Sequence, residues 1–217
     1  MTEFGDAFAW PAKDPRWVGK LILVGLIGLI PIVGQMNLLG WTLSSLDNLR
    51  ADRYELADAN FSHLGRGARL FLVQLVYAAL LFLVAAVIFV PGIALLVSAG
   101  GSAGGAAAVG ILLTSVSALV FFLLTLLYAL VQPVIYLRTD RFGVGGGLDF
   151  GAIARTLGDG FVKTLLAALL MYVGGMIGGL GIIACFVGLV FTIPYGYAVV
   201  AGVLRVYEQQ LTSPAPS

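Results

Sequence analysis

Two amides stand two residues apart in a stretch without charge: Gln35 and Asn37, just after Pro31 in VGLIGLIPIVGQMNLLG, residues 24–40. A proline inside a helix frees the carbonyl four residues before it. Amides close to such a break add donors and acceptors, and together they can line a small site for a neutral solute. Gln132, next to Pro133, is a third intramembrane amide of this kind. Pro31, Gly34, Pro194 and Gly196 are the expected helix breaks. The preferred reading is plainer: these amides hydrogen-bond between helices or lie near an interface.

Other chemistries find less support. Ion and proton relays need an acid or base inside the membrane, and the long apolar stretches hold none. A metal centre needs a cluster of His, Cys or carboxylates. The chain has one histidine, His63, and one cysteine, Cys185, which reads as a small buried packing residue and cannot form an intrachain disulfide. No G-x-S-x-G elbow is present, and GVGGG (143–147) lacks the lysine of a phosphate loop, so it reads as a hinge. An enzyme would have to gather His63, Arg66, Asp149 and Arg155 in one pocket at loop level. No catalytic residue, metal or cofactor is therefore assigned. A net charge of +1 offers nothing to nucleic acid.

The elements that would position these residues follow from where charge is missing. All 23 charged side chains lie outside windows 21–46, 70–137 and 164–204, which hold 26, 68 and 41 residues. A transmembrane helix needs about 20 apolar residues for about 30 Å of hydrocarbon, so the second and third windows hold two crossings each. Barrel strands would alternate apolar and polar residues, whereas FLVQLVYAALLFLVAAVIFV is apolar on every side. The N-terminus is acidic and aromatic, with no cleavable signal expected.

The expected organisation is one membrane domain, 1–217. It comprises a lead-in at 1–20, a bent or re-entrant segment at 21–46, and an interfacial helix at 58–69. Membrane helices follow at 70–98 and 108–137, an interfacial helix at 149–162, membrane helices at 164–180 and 182–207, and a flexible tail at 208–217. Trp10 and Trp17 suit the water–lipid boundary. The apolar stripes Phe61, Leu64, Ala68, Phe71 and Phe150, Ile153, Leu157, Phe161 suit helices lying in the headgroup region. Asn60 and Asp149 are their expected N-caps, and Asp159 and Lys163 stand i, i+4. Loops 47–69 and 138–163 hold four arginines or lysines each, the C-terminal end holds Arg205, and 99–107 holds none. By the positive-inside rule the first three are cytoplasmic and 99–107 is outside.

Two internal matches suggest a repeated unit. VGLIGLIP (24–31) parallels VGLVFTIP (187–194), and RWVGKLIL (16–23) parallels DGFVKTLL (159–166). Gly174, Gly178, Gly181, Cys185 and Gly188 would line one close-packing face of a continuous helix, yet Lys163 and Arg205 on one side of the membrane demand a turn near 178–181. The same conflict governs 21–46. A single kinked crossing fits the repeat, whereas a turn at Pro31–Gly34 keeps all 12 basic residues on one side. The turn is preferred, and it places the N-terminus in the cytoplasm.

The stretch FAWPAKDPRWVGKLILVGLIGLIPIVG, the Gly40-Trp41 pair and NFSHLGRGARLFLVQLVY resemble the uncharacterised prokaryotic membrane-protein family named domain of unknown function 4013. The resemblance runs over roughly residues 8–205. Its motifs are Lys-Asp-Pro-x-Trp, Ile-Pro-Ile-x-Gly and a Gly-aromatic pair; ELADANF (55–61) departs from the Leu-Pro-Glu-Trp-like segment that members often carry. The resemblance implies a polytopic helical membrane protein and no activity.

The expectation is an all-α polytopic integral membrane bundle of five or six apolar helices in the cell membrane. It would act as a structural or assembly component, with membrane lipid and a protein partner or a second copy as its partners. A transporter or channel for a neutral or apolar solute is the first alternative, and a membrane-embedded enzyme the second.

Overall fold

Long runs of Leu, Val and Ala without charge favour the one element that satisfies its own backbone in an apolar medium. The computed structural model describes residues 4–100, 104–184 and 187–212, and every regular element among them is helical. In chain order they are α1 (Asp6–Ala9), α2 (Trp17–Gly28), α3 (Val33–Arg50), α4 (Leu64–Ser98), α5 (Gly105–Gly147), α6 (Phe150–Asp159), α7 (Phe161–Gly179) and α8 (Val187–Thr212). Short 3₁₀ turns precede α2 and α4 and follow α7. By length and composition α4, α5, α7 and α8 can cross a membrane, while α2 is apolar but shorter. Among the described residues, four helices are thus long and apolar enough to span, and α2 is a fifth, shorter apolar helix. Cys185 and residues 213–217 lie outside the described residues, and α8 runs on to Thr212 through the first part of the expected tail.

The chain divides into two compact units, Met1–Val73 with Leu130–Ser217, and Gln74–Ala129. In the first, α8 packs against α1, α2, α3 and α7. The core is built largely from α3 and α8, with Trp41, Leu43, Leu46, Val203, Leu204 and Tyr207 at 0–1% exposure. In the second, Ser117 donates to the Ala85 carbonyl at 3.3 Å, and the Tyr77 and Tyr128 rings stand 5.5 Å apart. Most of its apolar side chains face outward, Phe82 at 73% and Val97 at 74% exposure.

Between α2 and α3 the chain reverses. Pro31 sits in the turn, and Val33 N–H donates to the Pro31 carbonyl at 2.7 Å, closing a three-residue loop around Ile32 at φ 65°, ψ −59°. That is the strained form of the γ-turn, and a β-branched residue rarely adopts it. Gly34 then backs onto the preceding helix, where a Cβ would stand 2.4 Å from the Ile27 carbonyl oxygen. Pro194 and Gly196, also expected as breaks, lie inside the continuous α8 instead. Pro194 has no N–H for the Val190 carbonyl, and that oxygen faces Gly25 of α2, where a Cβ would lie 1.7 Å away. The matched VGLxxxIP segments therefore differ in structure, one ending a helix and the other beginning one.

The lead-in is bound into the fold. Trp10 is fully buried, not set at a lipid boundary; its indole N–H donates to the Ala198 carbonyl at 3.0 Å. Tyr195 of α8 donates to the Phe8 carbonyl at 2.7 Å, and its ring neighbours Trp17 at 6.3 Å. Asn60 and Asp149 both cap, accepting from Ser62 N–H and Ala152 N–H at 2.9 Å. The 58–69 segment becomes a 3₁₀ turn running straight into α4, whereas α6 is a separate amphipathic helix with Ala152 and Ile153 buried. Gly160 separates α6 from α7, so Asp159 and Lys163 do not share a helix, and Lys163 Nζ donates to the Gln210 carbonyl at 2.7 Å. Gly143 (φ 69°, ψ −160°) bends α5 before α6, using backbone angles that only glycine adopts at little cost.

Helices α3 and α4 cross at Gly40 and Gly67. A Cβ at Gly67 would stand 1.7 Å from the Met36 carbonyl oxygen, while Gly65, two residues earlier, has open space. Gly67→Ala is expected to lower the thermal midpoint in detergent, at a cost of about 1–3 kcal/mol or more from forced backbone shifts. Gly65→Ala is expected to match wild type or exceed it slightly. Equal midpoints for the two variants would show that the crossing is not close.

Candidate functional site

Helices α3, α4, α5 and α8 each carry charge just before or after an apolar stretch, and in the folded unit these charges meet. Arg50 of α3 grips both oxygens of Glu208 on α8, Nε and Nη2 donating at 2.9 and 3.0 Å. Its Nη1 donates to Asp140 of α5 at 2.8 Å and to Asp47 at 2.9 Å. Arg66 of α4 reaches the same two aspartates, Nε donating to Asp140 at 2.7 Å while Nη1 pairs closely with Asp47. The result is a closed ring, Asp47–Arg66–Asp140–Arg50, with Glu208 attached. Arg141 also donates to Glu208, and Arg205 stands 3.9 Å from it.

Each carboxylate in this hub has at least two guanidinium partners, and the planar fork of arginine suits such two-pronged pairing. Burial pushes the Asp47 carboxyl up, but hydrogen bonds and attraction from Arg66 and Arg50 outweigh it and hold the group below its usual range. Burial likewise opposes the Arg50 charge, and Glu208 and Asp140 reverse that and raise its pKa. Every carboxylate of the hub is thus matched by guanidinium charge. Among the described residues no group of three or more His, Cys, Asp or Glu could hold a metal ion.

A second clamp lies at the start of α2. Asp14 is buried and accepts from Lys20 Nζ at 2.9 Å, Arg16 N–H at 2.8 Å and Leu56 N–H at 3.0 Å. Burial raises its pKa, and these partners more than offset that, leaving it below 3.8. Lys20 also donates to the Leu56 carbonyl at 2.5 Å. The loop after α3 is held further by Trp41 Nε1–H to the Ala57 carbonyl at 3.0 Å and by Ala57 N–H to Ser45 Oγ at 3.1 Å.

The residues singled out in the sequence fall into separate places. Gln35 Nε2 donates to the Tyr197 hydroxyl on α8 at 2.7 Å. Asn37 is fully buried, and neither atom of its amide has a hydrogen-bond partner among the described residues. Gln132 is half-buried on α5. The four residues an enzyme would need do not converge. His63 bridges Ser44 at 2.9 Å and the Asp58 carbonyl at 2.8 Å. Arg66 belongs to the hub, Asp149 caps α6 and meets Arg138 at 3.2 Å, and Arg155 donates to the Gly151 carbonyl within its own helix at 3.3 Å. The hub itself was missed. Its signal was present, since Asp47, Arg66, Asp140 and Glu208 all follow or precede apolar stretches on one expected side, but their pairing is not readable from spacing.

The family described as "Protein of unknown function (DUF4013)" matches residues 23–187. The chain belongs to this family. No curated protein and no solved structure matches it. Three short segments singled out in the sequence now have structural roles, the first of them ahead of the matched residues. Asp14 of Lys-Asp-Pro-x-Trp is the buried acceptor at α2, Ile-Pro-Ile-x-Gly is the γ-turn, and Gly40-Trp41 supplies both the α4 crossing and the tie to Ala57.

Two measurements check the ion pairs. Asp140, with a side chain 3% exposed, serves two arginines. Asp140→Asn is expected to destabilise the protein by about 3–5 kcal/mol, the usual result of leaving partners of a buried pair uncompensated, read as a lowered thermal midpoint in detergent at neutral pH. For Asp14 the folded pKa lies below the ordinary 3.8. Its stabilisation is therefore complete above that value and is lost as pH falls through the folded pKa. Asp14→Asn is expected to be less stable than wild type at pH 7 and to lose less on acidification below pH 3.8. Parallel stability–pH curves for the two proteins would refute the assignment.

Proposed function

We propose that this chain is an integral protein of the cell membrane that acts as a structural or assembly component, associating with lipid and with partner proteins, a second copy of itself among them. The observation that carries this reading is the exposure of its most apolar segments. Only 6% of the most apolar window of α4 is buried, and only 11% of that of α5. Apolar surface on this scale needs a cover, which acyl chains or apolar helices of a partner supply. The ion-paired hub supports the reading from the other side, because it links four helices into one unit.

The reversal at residues 29–32 supports a re-entrant α2–α3 pair entering and leaving the membrane on the cytoplasmic side. Val18, Ile22, Leu23 and Leu26 on α2, and Leu29 just after it, are exposed for lipid contact, and Lys20 is matched by Asp14. In this topology both termini and the hub are cytoplasmic, and the segment around 104 is outside.

One observation favours a second reading, a transporter or channel for a neutral solute. Asn37 is buried with its amide unpaired, near Gln35 in sequence, and a small polar solute or water would satisfy it. Solute-driven swelling of proteoliposomes that Gln35→Ala and Asn37→Ala abolish is the result that would replace the first reading with this one.

Cysteine mapping tests the first reading. In a Cys185→Ala background, Gly5→Cys, Arg53→Cys, Phe82→Cys and Gly104→Cys are probed with a membrane-impermeant maleimide from each side of sealed vesicles. Positions 5 and 53 are expected to label from one side, 104 from the other, and 82 from neither. Rapid labelling at 82 would mean that water covers α4 and would sink the membrane reading; position 5 labelling with 104 would sink the re-entrant pair.

A further inference from the structure

Beside the hub, the end of α5, helix α6 and the end of α8 enclose a cleft of about 130 Å³. Arg138 and Arg141 line it from α5, Thr156 from α6, and Glu208 and Thr212 from α8, with Phe142 at its mouth. Ligand sites for whole metabolites measure about 300–1,000 Å³, so this volume suits one small group of a larger molecule.

The charge in the cleft exceeds what its own carboxylate requires. Glu208 is already held through both oxygens by Arg50. Arg141 adds one more donor to it while its side chain remains 50% exposed. A guanidinium has five N–H donors, and Arg141 therefore keeps donors and charge to offer. Arg138 gives Nε–H to the Gly146 carbonyl at 3.1 Å and Nη2 to Asp149 at 3.2 Å. These bonds fix its plane over the Phe142 ring at 5.3 Å and leave its other amino group uncommitted to them. Two forks around one small cavity fit a phosphate oxygen set better than a single carboxylate.

The setting selects the source of that phosphate. Arg138 directly follows the uncharged window 70–137, so on the membrane reading the cleft lies where hydrocarbon gives way to headgroups. Phe142, Phe150 and Phe161 stand 50–66% exposed around this end of the unit, and α6 buries Ala152 and Ile153 while exposing Arg155. Exposed rings beside guanidiniums at this depth match an acyl–headgroup boundary, and basic pockets between helices on the cytoplasmic side take anionic headgroups.

The geometry points to a lipid site: the cleft formed by Arg138, Arg141 and Thr156 binds the phosphate of an anionic phospholipid whose acyl chains lie along the exposed aromatic rim. This rests on the membrane-associating reading above and adds to it a defined ligand class and position.

The test is native mass spectrometry of the full chain in detergent, titrated with phosphatidylglycerol, with phosphatidylcholine, and with inorganic phosphate. Wild type is expected to retain phosphatidylglycerol in preference to phosphatidylcholine. Arg141→Gln is expected to weaken phosphatidylglycerol about fivefold, as for loss of one basic group near a charged headgroup. Arg53→Gln, which removes the same charge from an exposed loop, is expected to change it little. Thr156→Leu narrows the cleft without touching charge and guards against a folding defect in Arg141→Gln; it too is expected to lose the lipid. Equal weakening by Arg141→Gln and Arg53→Gln would reduce the effect to general surface charge and overturn the proposal. Displacement of the lipid by inorganic phosphate at equal concentration would assign the cleft to free phosphate and overturn the lipid source. Equal retention of the two lipids would also overturn it. None of these failures touches the maleimide result at Phe82, on which the broader reading stands separately.

Discussion

The ring of Asp47, Arg66, Asp140 and Arg50 is the constraint on which the first unit depends. Asp140, with a side chain 3% exposed, loses most of its solvation when the helix ends come together, and burying it alone would cost several kcal/mol. Only the complete ring removes that penalty, because each member has two partners of opposite sign. The ring therefore acts less as a source of stability than as a selector of arrangement. Helix ends that came together out of register would leave an arginine or an aspartate alone. Apolar packing among α3, α7 and α8 has no such preference, since one leucine face serves nearly as well as another.

Close backbone contact supplies the second kind of specificity. Gly40 against Gly67, Gly25 against Val190 and Gly174 against Gly196 let helices approach to main-chain distance. In an apolar medium, where water gives little reason for helices to associate, such contacts and the hydrogen bonds beside them carry the interaction. Pro194 shows how economically this is arranged. A carbonyl it leaves without a helical partner is placed where a glycine Cα meets it, a weak but recurrent contact between helices.

Much of this organisation could be read from residue order, and the failures have physical causes. The charge-free windows located the apolar helices because hydrocarbon tolerates no unmatched charge, and Pro31 lies in the turn between α2 and α3. Asn60 and Asp149 were legible as caps because capping is local. Trp10 was not legible: an aromatic residue near an apolar boundary has the same signature whether it meets lipid or a neighbouring helix, and only Ala198 and Gly202, far away in sequence, decide it. Pro194 misled because a long apolar helix tolerates proline when its neighbours absorb the loss. The hub was hidden because its paired members are up to 158 positions apart, and residue spacing reports levels along a helix axis, not partners around it.

That separation in sequence sets an order of events during biogenesis. Arg50 is synthesised long before Glu208, and at about 5–20 residues per second the interval is roughly 8–30 s. Through that time α3 waits with part of its guanidinium charge unanswered, and Trp10 and Phe8 wait for the same helix, since Ala198 and Tyr195 also belong to α8. The last described helix is thus the keystone of the nascent chain. Until it arrives, Arg50 can be held by Asp47 and Asp140 but lacks the two Glu208 oxygens that its Nε and Nη2 grip in the finished fold.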